Sequence, residues 1–165
     1  MGYNIDFNAK AQLKLHVRKF LLHPDRWKEP KYKLPIKLSW KKYKFNPKNR
    51  SKIPRKSGIY CFVIIPNIKN LFPSIYLSYV GKTDRTLWNR YKEYLDEQNG
   101  KGKPRDKIYE LLNLYKEDVY FYYAEITNSS NVEICEDNLI NAFVPYVNTV
   151  IPEAKLKPEI KNFYA

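Results

Sequence analysis

The sequence predicts an α/β chain of the α+β type, with a small three-stranded antiparallel sheet flanked by helices and a basic, partly helical and partly extended arm before it. A run of β-branched and aromatic residues at 59–65 stops at Pro66-Asn67, which is typical of a buried strand. A second apolar run at 75–81 follows closely enough to favour antiparallel pairing with the first. Later segments place apolar residues at helical spacing, which completes the α+β pattern.

The elements after the two strands follow from caps, spacing and helix breakers. Thr83-Asp84 can cap a helix that runs to about residue 97, and the glycines and proline of residues 100–104 end it. Apolar periodicity then predicts a helix, a strand and a last helix, at residues 105–116, 119–126 and 132–143.

The segment before the first strand has a different character. Apolar residues at helical spacing among lysines predict a basic amphipathic helix over residues 9–22, ended by His23-Pro24. Five prolines among residues 24–56 predict an extended segment, with one short strand near residues 38–43. We therefore divide the chain into an arm, a domain and a tail, at residues 1–52, 53–150 and 151–165.

Positive charge is concentrated in the arm. The formal net charge is +13, and residues 1–52 hold 15 Lys and Arg against 3 Asp and Glu. Such an arm is expected to bind a polyanion with an affinity that falls steeply with salt, and the alternative is a lysine-rich surface that serves solubility. Its aromatic residues suit either stacking on bases or packing on the domain. The predicted nucleic-acid contacts are Lys14, Arg18, Lys19, Lys41, Lys42, Lys44, Lys101 and Lys103.

Cysteine usage and hydropathy bear on the compartment. Cys61 and Cys135 lie in apolar runs without metal-type spacing, which predicts reduced core thiols. No apolar run approaches the ~20 residues of a membrane span, and no signal-like segment opens the sequence. We expect a cytoplasmic protein that does not contact a membrane.

A set of side chains suited to phosphodiester chemistry occurs along the domain. The reaction requires a deprotonated water and stabilised charge on the phosphoryl oxygens. We hypothesise that Tyr79 is the general base or positions the water, with Tyr60 beside it on the neighbouring strand. A nearby cation lowers the pKa of a tyrosine, and Lys82 is expected to supply that cation from the turn after the strand. The alternative for either tyrosine alone is packing within the sheet.

An arginine and a glutamate complete the set. Arg90 lies on the helix after the second strand with Tyr94 one turn further along the same face, and a guanidinium can bind two phosphoryl oxygens at once. Glu136 is the expected ligand for Mg²⁺ or Mn²⁺, since one or two carboxylates plus substrate oxygens suffice for such a metal. Arg85 is a second candidate for the role of Arg90.

Residues 57–149 resemble the GIY-YIG nuclease family. The resemblance lies in Gly58-Ile59-Tyr60, in Tyr79-Val80-Gly81-Lys82 followed by Arg90 and Tyr94, and in Glu136 followed by Leu139-Ile140, Pro145 and Asn148. The spacing is most similar to that of the excision-repair nucleases of the UvrC type. The resemblance implies that Tyr60, Tyr79, Lys82, Arg90, Tyr94 and Glu136 are catalytic and that Gly58, Gly81 and Asn148 support them.

The sequence therefore predicts a metal-dependent endonuclease that hydrolyses DNA, with RNA as the second candidate substrate. A restriction or defence enzyme is one biological role that fits a small nuclease with a basic arm. The alternative from another class is a nucleic-acid-binding protein that keeps the fold and does not cut. The interval between Tyr60 and Tyr79 is longer than is usual in the family, so a long loop is expected around residues 66–73.

Overall fold

The computed structural model describes residues 13–152. The strands in this range are β1 (Lys41–Lys44), β2 (Gly58–Ile64), β3 (Tyr76–Thr83) and β4 (Val119–Glu125). The α-helices with defined bounds are α1 (Pro24–Lys28), α2 (Leu87–Gln98), α3 (Asp106–Leu114) and α4 (Ser129–Phe143). Short 3-10 helices cover Pro30–Tyr32 and Pro47–Lys52. None of the helices within residues 13–152 is long and apolar enough to cross a bilayer.

The strands form one antiparallel sheet in the order β1-β4-β2-β3. The mixed α+β class is confirmed, and so is the antiparallel pairing of β2 with β3. The prediction of three strands is wrong, because β1 from the basic segment adds a fourth. Its Tyr43 stacks against Tyr123 of β4 with ring centroids 6.4 Å apart, so β1 covers an edge that β4 would otherwise expose.

Strand β2 is buried on both faces, as expected of a central strand. Its alternate residues point to opposite sides, so Tyr60 and Phe62 belong to one apolar core and Ile59 and Cys61 to another. Helices α2 and α3 cover the first face, and α4 covers the second. Cys61 and Cys135 are both free and buried in the second core, as the sequence predicts.

The segment before β2 contributes to the core. Phe45 is 1% exposed and Ile53 is 3% exposed, and both pack with the side chains of α2 and α3. The hydrophobic core therefore extends across the boundary predicted at residue 53. The tail predicted to begin at residue 151 lies almost entirely outside the described residues.

Two predicted helix boundaries differ from the structure. Of the helix predicted over residues 9–22, residues 9–12 lie outside the described range, 13–16 are helical and 17–22 are not. The apolar side chains of Leu13, Val17 and Leu22 remain exposed, so no buried face stabilises a longer helix. Helix α2 is capped by Thr86, whose hydroxyl accepts a hydrogen bond from the Asn89 amide at 3.1 Å, and not by Thr83-Asp84.

Candidate active site

Gly58 and Gly81 allow close contacts around Tyr60, on the strands that carry the predicted catalytic tyrosines. Gly81 of β3 lies opposite Tyr60 of β2, and a Cβ at Gly81 would come within 2.5–2.8 Å of the phenol ring and hydroxyl of Tyr60. A Cβ at Gly58 would overlap the carbonyl oxygen of Ala124 on β4. Gly81 therefore makes room for the Tyr60 ring, and Gly58 allows β2 and β4 to approach each other closely.

The Tyr60 hydroxyl is the centre of a buried hydrogen-bond cluster on the α2 face of the sheet. It accepts a hydrogen bond from Nε of Arg90 at 2.9 Å and lies 2.9 Å from the Tyr94 hydroxyl. The ring of Tyr79 lies on the same face, with its centroid 6.4 Å from that of Tyr60 and 6.3 Å from that of Tyr94. The structure thus brings together four of the six predicted catalytic residues.

Burial determines the charge state of the phenols of Tyr60 and Tyr94. Burial, together with the neighbouring Tyr79, raises the pKa of Tyr60, although Arg90 opposes this effect. Burial also raises the pKa of Tyr94 well above its ordinary value. Both phenols are therefore neutral near pH 7 and suited to hold Arg90 in place. Neither is suited to remove a proton from water.

Lys82 does not lie beside Tyr79. Strand β3 continues through Thr83, so residues 79 and 82 point to opposite faces of the sheet. The Lys82 ammonium lies 3.4 Å from a carboxylate oxygen of Glu133 and 3.9 Å from one of Glu136, both on α4. The prediction that Lys82 lowers the pKa of Tyr79 from the turn after the strand is therefore wrong.

Arg105 is the cation at Tyr79, a role that was not among the predictions made from the sequence. It stands immediately before α3, and one of its terminal nitrogens lies 3.5 Å from the Tyr79 hydroxyl. Its guanidinium carbon lies 5.3 Å from the ring centroid of Tyr94, and Glu97 binds its other nitrogens. The only sequence signal was its position after the lysines of residues 101–103.

Glu136 reaches the same region from the other face. Strand β3 is at the free edge of the sheet, and a cleft of about 490 Å³ runs beside it. Tyr79, Arg105, Glu136, Asp137 and Asn148 are among the residues that line the cleft. Although α4 and the Tyr60 ring are on opposite faces of the sheet, Glu136 and Tyr79 therefore both line one cleft at the edge of β3.

The Glu136 side chain is only 18% exposed. Burial raises its pKa to about 7, against the opposing effect of the Lys82 ammonium and with a further contribution from Asp137. The group is therefore partly protonated at neutral pH in the absence of a bound cation. A divalent cation would stabilise the ionised form.

The donor chemistry at the cleft fits a hard divalent cation. No group of three or more His, Cys, Asp or Glu side chains within residues 13–152 forms a metal cluster. Mg²⁺ and Mn²⁺ are commonly held by one or two carboxylates with water and substrate oxygens, and Glu136 and Asp137 both line the cleft. Lys82, at 3.9 Å from Glu136, competes electrostatically with such an ion.

Asn148 fixes the chain that follows α4. Its side-chain oxygen accepts from the Val80 amide at 3.0 Å, and its side-chain nitrogen donates to the Val80 carbonyl at 2.8 Å. The Val147 amide donates to the Ser78 carbonyl at 3.1 Å. This segment therefore satisfies part of the free edge of β3 and forms one wall of the cleft.

Arg90 has a second partner, Glu93, one turn further along α2. One of its terminal nitrogens donates to Glu93 at 2.7 Å, and Arg85 donates to the other oxygen of the same carboxylate at 2.6 Å. The Arg90 side chain is 27% exposed. The Glu93 carboxylate thus lies between two guanidinium groups and accepts a hydrogen bond from each.

The predicted nucleic-acid contacts divide into two groups. Arg18 is turned inward, where it pairs with Glu110 and lies over the rings of Tyr115 and Tyr146. It therefore holds the arm on the domain, and its assignment as a contact is wrong. The residues that remain at least partly exposed are Lys14, Lys19, Lys41, Lys42, Lys44, Lys101 and Lys103.

Several of those lysines have partners within the chain. Lys41 lies 3.7 Å from Glu125, Lys44 lies 3.1 Å from Glu117, and Lys101 lies 3.7 Å from Asp96. Exposed ion pairs of this kind are weak and leave the lysine available to a polyanion. The loop between β2 and β3 lies at the Ile64 end of the sheet, and none of its residues lines the cleft.

Comparisons with known proteins found no match to this chain among protein-family models, curated proteins or solved structures.

Proposed function

We propose that this chain is a metal-dependent endonuclease of the GIY-YIG type that hydrolyses phosphodiester bonds of DNA in the cytoplasm. The observation that carries the proposal is the meeting of Tyr79, Arg105 and Glu136 in one cleft at the free edge of β3. The hydrogen-bonded cluster of Tyr60, Arg90 and Tyr94 adjoins Tyr79. A half-buried phenol, two guanidinium groups and a largely buried carboxylate can together activate water and stabilise the charge that develops in phosphodiester hydrolysis.

The arrangement suggests a separate role for each group. Tyr79 is the one phenol of the cluster that lines the cleft, so it is suited to hold and deprotonate the attacking water. The Arg105 guanidinium lies beside its hydroxyl, where it is suited to bind a phosphoryl oxygen next to the attacking water. Tyr60 and Tyr94 hold Arg90 toward the phosphoryl oxygens, where a planar guanidinium binds two oxygens at once.

Glu136 is the group proposed to hold Mg²⁺ or Mn²⁺. When bound, such an ion stabilises the negative charge of the phosphoryl group and of the departing oxygen. Its binding requires the ionised carboxylate, and the raised pKa of Glu136 means that affinity should increase with pH up to about 7. Lys82 is then left with Glu133 as its partner on α4.

Cleavage of supercoiled plasmid tests the proposal. Purified protein is incubated with plasmid and Mg²⁺ or Mn²⁺, beside the variants Glu136→Ala and Glu133→Ala. Both glutamates lie on α4 near Lys82, but Glu133 is not among the residues that line the cleft. We expect nicked or linear product from the parent and from Glu133→Ala, and a loss of at least ~10²-fold in rate for Glu136→Ala.

Two results would overturn the proposal. Equal cutting by Glu136→Ala and the parent would remove the assigned metal site. Binding of DNA by the parent without any cleavage would favour the second reading, a non-catalytic nucleic-acid-binding protein on the same fold. Sequencing of the product ends separates a restriction-type role, which gives a recurring motif, from a non-specific nuclease, which gives scattered ends.

A further inference from the structure

Two arginines differ from the other five in their partners. The chain has seven arginines, all within residues 13–152. Five of them donate to carboxylate, carbonyl or phenol oxygens: Arg18, Arg26, Arg85, Arg90 and Arg105. The side chains of Arg50 and Arg55 make no hydrogen bond or ion pair with any residue of the described range, and both stack on Trp88.

The indole of Trp88 lies between the two guanidinium groups. The guanidinium carbons of Arg50 and Arg55 lie 3.5 Å and 4.1 Å from the centroid of the Trp88 ring. Two groups of this size cannot both lie so close to one centroid on the same face without overlapping, so they occupy opposite faces. Contacts with the ring face are favourable for each cation and leave N–H groups of the guanidinium edges without a protein acceptor in the described range, although the Nε of Arg50 is itself buried. We call these three residues the Arg–Trp platform.

Backbone contacts hold the platform rigidly on α2. The Leu87 amide donates to the Lys56 carbonyl at 2.8 Å, and the Trp88 amide donates to the Pro54 carbonyl at 3.1 Å. At the other end of the segment, the Tyr91 hydroxyl bonds both the amide and the carbonyl of Asn46, at 2.9 Å and 2.8 Å. Because the segment is fixed at both ends and the two guanidinium groups stack on Trp88, both arginines are ordered before any ligand binds, which lowers the entropic cost of binding.

The segment is also strongly cationic. Residues 46–57 contain five Lys and Arg and no Asp or Glu. Lys56 pairs with Glu125 at 2.9 Å, whereas Lys48 and Arg55 are exposed. Two stacked arginines without acidic partners, within a run of like charge, create a local positive potential that attracts anions.

We propose that the Arg–Trp platform binds the phosphate backbone of duplex DNA. The two guanidinium carbons are at most 7.6 Å apart, a separation that suits neighbouring phosphates of one strand. The platform lies on α2, the helix that also carries Arg90, although two residues that are two positions apart on a helix face different sides of it. The identity of the polyanion as DNA rests on the proposed function, whereas the site itself rests on the geometry.

The test is a measurement of binding in which cleavage plays no part. A short fluorescein-labelled DNA duplex is titrated with protein in EDTA, from ~50 to ~200 mM salt, and the affinity is followed by fluorescence anisotropy. The variant is Arg50→Gln/Arg55→Gln. The matched control is Lys69→Gln/Lys116→Gln, which removes the same charge from exposed positions outside the segment.

Loss of two phosphate contacts should reduce the slope of log affinity against log salt by about 1.8, which weakens binding roughly 10- to 60-fold at ~0.1 M salt. The control should keep the parent slope. Urea unfolding monitors the fold, and the exposed Arg55 allows a second variant, Arg55→Gln, whose slope should fall by about 0.9.

Unchanged slopes in both arginine variants would overturn the proposal, as would an equal loss in the control. Dependence on Arg50 and Arg55 for an RNA duplex of the same sequence, without such dependence for DNA, would overturn the assignment to DNA. The binding measurement does not depend on cleavage, because the titration contains no metal. If the protein fails to cleave plasmid, the salt slopes still test the Arg–Trp platform.

Discussion

Replacement of Gly81 by alanine should disrupt the centre of the site. The added Cβ would lie 2.6 Å from the Tyr60 ring carbon that bears the hydroxyl, so the ring must move by about 0.8 Å to reach an ordinary contact. Tyr60 is fully buried and stacked on Phe121, with ring centroids 5.3 Å apart, so no open space receives it. The movement also weakens its hydrogen bonds with Arg90 and Tyr94.

Overpacking costs about 1–3 kcal/mol, and each weakened buried hydrogen bond adds about 1 kcal/mol. We therefore expect Gly81→Ala to lower the free energy of unfolding by about 2–5 kcal/mol in urea denaturation followed by tryptophan fluorescence. The control is Gly102→Ala, where a Cβ meets nothing within 4 Å and only the backbone φ of +74° opposes the substitution, at a cost of about 1–2 kcal/mol. A loss at Gly81 no greater than that at Gly102 would refute this reasoning.

Three further predictions concern the walls of the cleft. The folded-state pKa of Glu136 lies above its unfolded value, so ionisation of this carboxyl destabilises the fold as pH rises from 4.5 to about 7. In EDTA, the free energy of unfolding of the parent should therefore fall by about 2–4 kcal/mol relative to that of Glu136→Gln over this range. The same pH dependence of stability in both proteins would contradict this. Asn148→Ala should lose about 1–3 kcal/mol in the same assay, because both hydrogen bonds to Val80 disappear. Arg105→Ala should slow plasmid cleavage roughly 10²-fold, and Arg105→Lys should recover only part of the parent rate. An unchanged cleavage rate in Arg105→Ala would show that Arg105 does not belong to the site.

Local sequence signals were sufficient for most of the sheet. The run of β-branched and aromatic residues identified β2, and its closeness to the next run identified the antiparallel partner. These signals depend on residues that are adjacent in the sequence, so the sequence alone is sufficient to identify them. β1 was harder to place in the sheet, because a four-residue strand with three lysines and one tyrosine carries no apolar pattern of its own and is stabilised only by pairing with β4.

The location of Lys82 depended on where β3 ends. If the strand ended at Gly81, the lysine would lie in a turn and could face Tyr79. The strand continues to Thr83, and the period of two then sends Lys82 to the α4 face. An uncertainty of two residues in one strand end therefore reverses the role of a side chain.

Long-range partners were beyond the reach of sequence patterns. Arg18 pairs with Glu110, which lies 92 positions away, and so it packs on the domain although it belongs to a basic run. Arg105 approaches Tyr79 from a position 26 residues away. In both cases tertiary contacts fix the environment of the guanidinium, and charge or periodicity within the sequence contains no information about them.

Single-turnover cleavage of a DNA duplex by Tyr79→Phe and Glu136→Gln tests the central claim most directly, because both changes keep the shape of the side chain and remove only its chemistry. With Mg²⁺ present and saturating enzyme, each variant should cleave at least ~10²-fold more slowly than the parent while its Kd for the duplex in EDTA stays the same. Parent-like rates in either variant would mean that the edge of β3, where these two residues meet, is not where a phosphodiester is cut.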